Sequence, residues 1–504
     1  MKKGAILGVL DSVERLGNRL PEPLTLFGLF SFLILLASWL AAAFGVSVVH
    51  PGTGETVAAV NLLSKEGLRR LFSEAVTNFT AFPPLGTVLV AMLGIGVAER
   101  SGLIGCALKQ LVALVPRRLL TSTLVFAGVM SSMAADAGFV VLLPLGGVLF
   151  LGLGRHPIAG LAAAFCGVSG GFSANLFLTA LDPLLSGLTQ PAAQMVQPDY
   201  QVLPTANYYF MVVSLFLIVA VGSYVTDRIV EPRLGPYQPL QSQAASNALE
   251  PVTAQERRAL WTALFVVVLG VLACAWLTLP QDAVLRSPQG DLKPFYQSLI
   301  TLMMLLFLLP GLAYGVIAGT IKSDRDVATM TSETMSTMGS YVVLAFMAAQ
   351  FVAYFSWSNL GLISAVTGAG MLKATGISGI PLLLGLVIVS GGINLLIGSA
   401  SAKWAIMAPV FVPMFMLMGY SPELVQAAYR VGDSVTNVIT PLLPYYPIVI
   451  AFAHKYNPKI GLGTLVSTML PYSVGLGLAW SILLVLWVTL GLPLGPGAPL
   501  YYGR

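Results

Sequence analysis

Long apolar stretches separated by short polar ones run along nearly the whole chain, and their lengths predict membrane-spanning helices. An α-helix rises 1.5 Å per residue, so about 20 apolar residues cross the hydrocarbon core of a bilayer. Stretches long enough to cross occur at residues 24–46, 84–100, 157–190, 206–226, 259–280, 295–318, 339–358, 423–451 and 466–491. The pattern therefore predicts an all-α polytopic membrane protein with nine transmembrane helices.

Two further apolar stretches, 120–153 and 380–419, do not divide into full spans. Each has two short arms around a centre of small and polar residues, at 131–138 in the first and 398–403 in the second. Arms this short suit re-entrant hairpins, whose tips lie inside the membrane against protein or water. Two ordinary helices kinked at a polar centre are the alternative. We predict two re-entrant hairpins in addition to the nine spans.

The composition supports this class. Only 9% of the 504 residues are charged and 56% are hydrophobic, whereas soluble globular proteins carry roughly 25% charged residues. A soluble enzyme and a disordered regulator are therefore excluded. With a cytoplasmic N-terminus, 17 of the 26 Lys and Arg residues fall in cytoplasmic segments, 7 outside and 2 in the membrane, as the positive-inside rule requires. This distribution explains the net charge of +5 without nucleic-acid binding, and it puts the C-terminus in the periplasm.

The two hairpin regions align without gaps when the sequence is shifted by 265 positions; Gly154 and Pro157, for example, match Gly419 and Pro422. Five spans separate equivalent points, so the copies would be inverted in the bilayer. We divide the chain into a cytoplasmic N-terminus (1–23), a first inverted repeat (24–228), a cytoplasmic loop with a linking transmembrane helix (229–294) and a second inverted repeat (295–504).

Two predicted helices are interrupted by polar residues. Residues 167–175 and 432–441 combine Gly or Pro with Ser, Thr and Asn, a mixture tolerated at membrane depth where it lines a cavity. A small-residue face for helix packing is the alternative interpretation. Inverted repeats with interrupted helices are typical of secondary transporters, which bind substrate and ion near the midplane.

Five charged residues remain within the predicted membrane region, where each costs roughly 2.5–3.5 kcal/mol on insertion scales. They are Asp136, Asp182, Lys403, Arg430 and Asp433. Arg430 and Asp433 are neighbours on one helix face. They either form a structural pair, or Arg430 binds a substrate carboxylate while Asp433 carries a proton.

The other three charges have competing interpretations. Asp182 either caps the helix that follows it or exchanges protons. Asp136, in the first hairpin tip, either accepts hydrogen bonds from freed amides or faces the cavity. Lys403 is expected to extend its long side chain toward the outer water.

Trp404 lies at the second hairpin tip, near Asn394, Ser399 and Ser401. Tryptophans of membrane proteins are often interfacial anchors. At the predicted depth, however, this ring and its polar neighbours favour a stacking surface for an aromatic substrate.

Other chemistry is not indicated. The three histidines fall in predicted loops, and no Cys and His residues have the spacing of metal ligands. Neither a phosphate-binding Walker loop nor a metalloprotease motif occurs. We therefore expect no catalytic residues, no resident metal and no cofactor.

Short stretches in both halves resemble the AbgT family, the p-aminobenzoyl-glutamate transporters. They occupy residues 135–138, 169–176, 182–185, 402–405, 408–414, 421–424, 429–434 and 440–442. The resemblance implies the same nine spans and two hairpins, and a homodimer in the bacterial inner membrane. It also implies import of p-aminobenzoyl-glutamate or proton-driven export of sulfonamides and p-aminobenzoate. The family's functional positions map onto Asp182, Asn394, Ser401, Trp404, Arg430, Asp433 and Pro441.

Taken together, these features predict a transporter that exports p-aminobenzoate-like compounds and sulfonamides in exchange for protons. Import of p-aminobenzoyl-glutamate, coupled to protons or to sodium, is the alternative, and a passive channel is disfavoured by the sparse charges and the two sealing hairpins. The candidate substrate-binding residues are Asn394, Ser399, Ser401, Trp404, Arg430 and Pro441. The candidate proton-coupling residues are Asp182, Asp433 and Asp136.

Overall fold

A computed structural model describes residues 23–503 apart from 50–53, 114–115, 117–118, 135–137, 238–251, 291, 377, 441–442 and 444. Within that part the chain is mostly α-helical. A short antiparallel hairpin follows the first helix, with β1 (Ser47–Val49) paired to β2 (Thr56–Ala58) and Val48 opposite Val57.

Up to residue 237 the helices are α1 (Pro23–Ala43), α2 (Lys65–Thr80), α3 (Pro83–Arg100), α4 (Leu103–Ala113), α5 (Leu120–Met130), α6 (Leu143–Gly152), α7 (Pro157–Phe165), α8 (Leu181–Gln194), α9 (Tyr208–Val225) and α10 (Glu231–Leu234). A 3-10 turn covers Ser131–Ala134, and π turns cover Gly138–Leu142, Cys166–Gly170 and Thr226–Val230. The rest of the chain contains α11 (Ala254–Trp276), α12 (Lys293–Ala318), α13 (Asp324–Thr337), α14 (Gly339–Trp357), α15 (Leu360–Ala374), α16 (Ile380–Asn394), α17 (Ala400–Met416), α18 (Pro422–Asn437), α19 (Tyr446–His454) and α20 (Leu462–Thr489).

Every predicted apolar span coincides with one helix or with two helices separated by a break. Among the described residues, five continuous helical stretches are long and apolar enough to cross a membrane, and the bent pair α13–α14 would make a sixth. Other apolar helices, including α16 and α17, are shorter than a full crossing. The protein is therefore a multi-pass membrane protein, while the count of nine crossings stays a prediction.

Two short apolar helices, α4 and α15, were not predicted as elements. Each is rich in small residues and directly follows a longer helix, so hydropathy alone merges it with a loop. Within the bundle, α15 packs on α17, the second arm of the second hairpin region.

Both predicted hairpin regions consist of two helical arms around non-α-helical residues. In the first, α5 and α6 flank the 3-10 turn and a π turn; in the second, α16 and α17 flank residues 395–399. The first arm of each packs closely on an interrupted helix through glycine. A Cβ added to Gly128 would lie 2.8 Å from the Cα of Gly167, and one added to Gly432 would lie 2.2 Å from the carbonyl oxygen of Val387.

The same local structure recurs after each hairpin, 265 residues apart. Gly154 and Gly419 both adopt positive φ, at 71° and 90°, a conformation that glycine adopts without steric cost. His156 and Ser421 then cap α7 and α18 with side chains that accept a backbone N–H, and a proline occupies the first helical position. Residues 154–157 and 419–422 thus share backbone geometry as well as sequence, while the inverted repeat stays a prediction.

The bases of the two hairpin regions are fixed by different means. Beside the first, Arg155 pairs with Glu231 and with Asp227, which accepts a hydrogen bond from Thr121 of α5. Beside the second, the C-terminal segment supplies backbone bonds: the amide of Ser421 donates to the Leu500 carbonyl over 3.1 Å, and its hydroxyl donates to Pro499. Both predicted hairpin regions are thus fixed where their second arms end.

Candidate functional site

Helix α18 forms the axis of the candidate site and is buried along nearly its whole length. Its start is well defined, because the Ser421 hydroxyl accepts the Leu424 amide over 3.1 Å and Pro422 occupies the first turn. Proline there lacks only an N–H that would be unpaired anyway. The helix therefore carries its polar side chains into the protein interior.

These polar side chains form a stripe. Glu423, Gln426, Arg430, Asp433 and Asn437 are spaced alternately three and four residues apart, and each is at most 5% exposed. A 3–4 spacing places them on one face of the helix. Sequence reasoning found only Arg430 and Asp433; the complete periodic stripe was the signal that could have revealed the other three.

Arg430 forms a buried ion pair with Asp182. Arg430 Nη1 lies 2.8 Å from Asp182 Oδ1, and Nη2 donates to the Ser173 carbonyl oxygen over 2.6 Å. Asp182 Oδ2 accepts both the amide and the hydroxyl of Thr179, over 2.7 and 3.0 Å. The carboxylate thus bonds the backbone beside the start of its helix and also neutralises Arg430, while proton exchange by Asp182 stays a prediction.

Asp433 pairs with Lys403 instead of with Arg430. Lys403 Nζ contacts Asp433 Oδ1 and also donates to Asn394 Oδ1, and its side chain is fully buried. The expectation that Lys403 extends to the outer water is therefore wrong, because a buried carboxylate holds the ammonium group inside the protein. The predicted structural pair between Arg430 and Asp433 likewise does not form. Arg430 pairs with Asp182 and Asp433 pairs with Lys403, each on another helix.

Asn394 joins the second hairpin region to α18. Its Nδ2 lies 2.7 Å from the Asp433 carbonyl oxygen, 2.8 Å from Thr436 Oγ1 and 2.7 Å from Asn437 Oδ1. Its own carbonyl oxygen accepts the Thr440 hydroxyl. Every polar group of Asn394 is thus engaged within the protein.

Trp404 is fully buried and stacks on Tyr429, with ring centroids 4.4 Å apart and an interplanar angle of 26°. Its indole N–H donates to Thr189 Oγ1 over 2.8 Å. The Tyr429 hydroxyl donates to the Ala400 carbonyl oxygen over 2.6 Å. One face of the indole is therefore covered by Tyr429 in this conformation.

A hydrogen-bonded chain that the sequence did not indicate continues from Trp404 along α18. Thr189 donates to Gln426, whose amide donates to Asn207, which in turn donates to the Glu423 carbonyl oxygen. Since Thr189 lies on α8 with Asp182, this chain connects α8 to α18 a second time.

The remaining candidates are placed as follows. Ser399 caps α17 by accepting the Ala402 amide over 3.3 Å, and its hydroxyl lies 3.3 Å from that of Ser401. Asp136 and Pro441 lie outside the described residues, so their roles stay predictions.

Several buried polar atoms at this place lack a hydrogen-bond partner among the described residues. They are the hydroxyls of Ser169, Ser173 and Ser434, Nε of Arg430 and Oδ2 of Asp433. Buried polar groups in folded proteins normally have partners, so these atoms are available to water or to a bound solute. Ser169 and Ser434 are also equivalent under the 265-residue shift.

The two ion pairs set Asp182 and Asp433 against Arg430 and Lys403, and the third acid of the stripe, Glu423, accepts hydrogen bonds from the Tyr200 hydroxyl. Within the described ranges no group of three or more His, Cys, Asp or Glu side chains is arranged to hold a metal ion. The arrangement can bind an anion at a guanidinium, gain or lose a proton at a carboxylate, and contact an aromatic ring.

Comparison with known proteins bears on the use of this chemistry. The family model described as the AbgT putative transporter family matches residues 8–502. The p-aminobenzoyl-glutamate transport protein of Escherichia coli K12 is 38% identical over 488 residues, which are 96% of this chain and 95% of that protein.

Two solved structures are similar over nearly the whole chain. MtrF of Neisseria gonorrhoeae, described as illuminating a class of antimetabolite efflux pumps, is 49% identical with a TM-score of 0.91, covering 97% of this chain and all of that one. The YdaH transporter of Alcanivorax borkumensis, described as having an unusual topology, is 46% identical with a TM-score of 0.90, covering 94% and 100%.

Proposed function

Because the chain belongs to the AbgT putative transporter family, we propose that it exports small aromatic compounds from the cell in exchange for protons. The proposed substrates are p-aminobenzoate-like carboxylates and sulfonamide antimetabolites. The proposed location is the bacterial inner membrane, with the N-terminus in the cytoplasm, the C-terminus in the periplasm and two copies forming a dimer.

This proposal rests on two buried ion pairs, Arg430 with Asp182 and Asp433 with Lys403, whose members Arg430 and Asp433 both lie on α18. A charge in the protein interior is strongly disfavoured unless it is paired. An incoming carboxylate that takes the place of Asp182 at Nη1 of Arg430 therefore releases Asp182, and Asp182 or Asp433 gains stability by taking a proton when its cation is withdrawn. Competition between the Asp182 carboxylate and the substrate carboxylate for Arg430 is the basis of the proposed coupling to protons.

The aromatic part of the substrate would bind beside Trp404. The indole already stacks on Tyr429, and stacked aromatic pairs contribute about 0.5–1.5 kcal/mol beyond their buried area. A ring with a carboxyl or sulfonamide group would use this surface together with Arg430.

We propose the nine-span, two-hairpin inverted repeat as the frame. One hydrogen bond that occurs in both halves supports it. The Asn175 side chain donates to the backbone carbonyl oxygen of Val129, and the Thr440 side chain donates to the backbone carbonyl oxygen of Asn394. Both donors and both acceptors are related by the 265-residue shift. The same side-chain bond thus fixes the first arm of each hairpin to the segment after an interrupted helix.

Import of p-aminobenzoyl-glutamate is the second candidate, favoured by the 38% identity to a protein described as transporting that compound. It uses the same residues, since a coupled carrier is reversible and its direction follows the gradients. Sodium coupling is the third, with the serine hydroxyls and Asp433 Oδ2 as oxygen ligands.

Transport into proteoliposomes with imposed gradients separates these candidates. We expect uphill movement of a labelled sulfonamide and p-aminobenzoate when a pH gradient is imposed, with no requirement for sodium. The Asp433→Asn variant should lose uphill movement and keep downhill exchange, while Asp282→Asn, which changes an exposed loop acid, should behave as the parent protein. Sodium-dependent flux at fixed pH, or flux that only runs downhill, would overturn proton coupling.

A further inference from the structure

Lys403 sits at an unusual place for a lysine. It lies in the first turns of α17, after the Ser399 N-cap, and its ammonium group is fully buried. The N-terminus of a helix carries partial positive charge and disfavours cations. The lysine is held there by contacts to Asp433 and Asn394, so its position depends on those partners rather than on its own helix.

These contacts connect three helices at one point. Asn394 ends α16, Lys403 lies in the first turn of α17, and Asp433 lies on α18. The tip of the second hairpin region is thus tied to the polar stripe through one charged side chain. A carboxylate holds an ammonium strongly only while it is ionised.

We propose that Lys403 is a positioning residue that couples the protonation of Asp433 to the opening of the second hairpin tip. While Asp433 is ionised, Lys403 is bound and the tip is closed against α18. When Asp433 takes a proton, the attraction is lost, the positive helix end repels the ammonium, and the tip separates from α18. This inference rests on the proposed function, since it assigns a structural consequence to the proton that drives exchange.

The neighbouring groups are consistent with this role. The titratable or charged groups around Asp433 are Lys403 of α17 and, on its own helix, Tyr429, whose hydroxyl lies 3.4 Å from Oδ1, and Arg430. Arg430 is neutralised by Asp182 of α8. Lys403 is therefore the cation whose partner changes charge when Asp433 is protonated.

The test measures how fast a cysteine in the tip reacts with a maleimide at different pH values. The protein in proteoliposomes carries Ile397→Cys in the tip, with Cys106, Cys166 and Cys274 replaced by alanine. Each rate is divided by that of an exposed reference cysteine, Asp282→Cys, at the same pH, because maleimide reacts with the thiolate and the thiolate fraction itself falls with pH. We expect this normalised labelling rate to rise at least tenfold as the pH falls and Asp433 becomes protonated. With Lys403→Met added, the rate should be high at all pH values, and the pH dependence should disappear. Lys403→Arg, which keeps the positive charge, should retain the pH dependence of the labelling rate.

The outcomes separate this inference from the proposed function. If the parent protein transports uphill on a pH gradient and Lys403→Met labels with the parent's pH dependence, the role of Lys403 is wrong and the proposed function stands. If the parent protein ignores the pH gradient, the proposed function itself is wrong. If Lys403→Met does not insert into the membrane, Lys403→Gln takes its place, since it keeps a hydrogen-bond donor for Asn394 but carries no charge. Its labelling rates are then compared with those of the parent protein in the same way.

Discussion

Replacing Asp182 with asparagine separates competition for Arg430 from a merely structural ion pair. The change removes the negative charge 2.8 Å from the guanidinium but leaves an oxygen that can still accept the Thr179 amide. Arg430 keeps its hydrogen bond to the Ser173 carbonyl oxygen. The variant therefore isolates the loss of charge.

The expected effects on affinity and stability have opposite signs. A hydrogen bond to a charged group contributes about 1.5–3 kcal/mol, so removing the competing carboxylate should tighten the binding of a substrate carboxylate roughly ten- to hundredfold. Breaking a buried pair by removing one partner costs about 3–5 kcal/mol, so the substrate-free protein should unfold at a lower temperature. Bound substrate should restore much of that stability.

The assay is equilibrium binding of p-aminobenzoate to purified protein, with thermal unfolding recorded in parallel with and without ligand. The control is Asp199→Asn, which removes an exposed acid in the loop after α8 and should change neither quantity. Weaker or unchanged binding by Asp182→Asn would refute competition for Arg430 and leave the pair as structural only.

Three further changes test the packing of the site and its surroundings. Trp404→Phe keeps the ring stack but loses the indole bond to a threonine of α8, so we expect about 0.5–1.5 kcal/mol lower stability and weaker binding of aromatic substrates in a binding titration. Gly432→Ala would place a Cβ 2.2 Å from the carbonyl oxygen of Val387; it should lower the melting temperature clearly, whereas Gly385→Ala on the facing helix meets nothing within 4 Å and should not. Burial lowers the pKa of His156, whose ring accepts a backbone N–H at the start of α7. The unfolded chain therefore binds more protons than the folded protein, so the melting temperature should fall as the pH drops below about 6.5. His156→Asn, which keeps an N-cap that does not titrate, should show a smaller fall.

The helices could be predicted from sequence because burial in lipid requires long apolar runs, and such runs are local. The same reasoning found both polar interruptions, since glycine and polar residues stand out against an apolar background. It did not separate α4 and α15, whose short apolar segments lie next to longer ones. Element boundaries were therefore close, and these two apolar helices were missed.

The partners of the charged residues could not be predicted in the same way. Spacing along one helix offered Asp433 as a partner for Arg430, whereas the carboxylate that pairs with it, Asp182, is 248 positions away in sequence. Lys403 was placed near water because its depth cannot be obtained from hydropathy. Pairing is a property of helix packing, and one sequence contains little information about which faces meet.

The two ion pairs are coupled because their central residues share one helix. Arg430 and Asp433 are three positions apart on α18, so they are neighbours on one face of the helix. A proton on Asp433 thus removes part of the repulsion that its carboxylate exerts on a substrate carboxylate bound to Arg430. By linkage, a bound carboxylate favours protonation of Asp433 to the same extent. Proton and substrate therefore help each other to bind at this step, and antiport requires that they leave on opposite sides or at different steps. For the proposed antiport we expect the Asp182 pair to separate these steps, since its carboxylate takes Arg430 back once the substrate has gone.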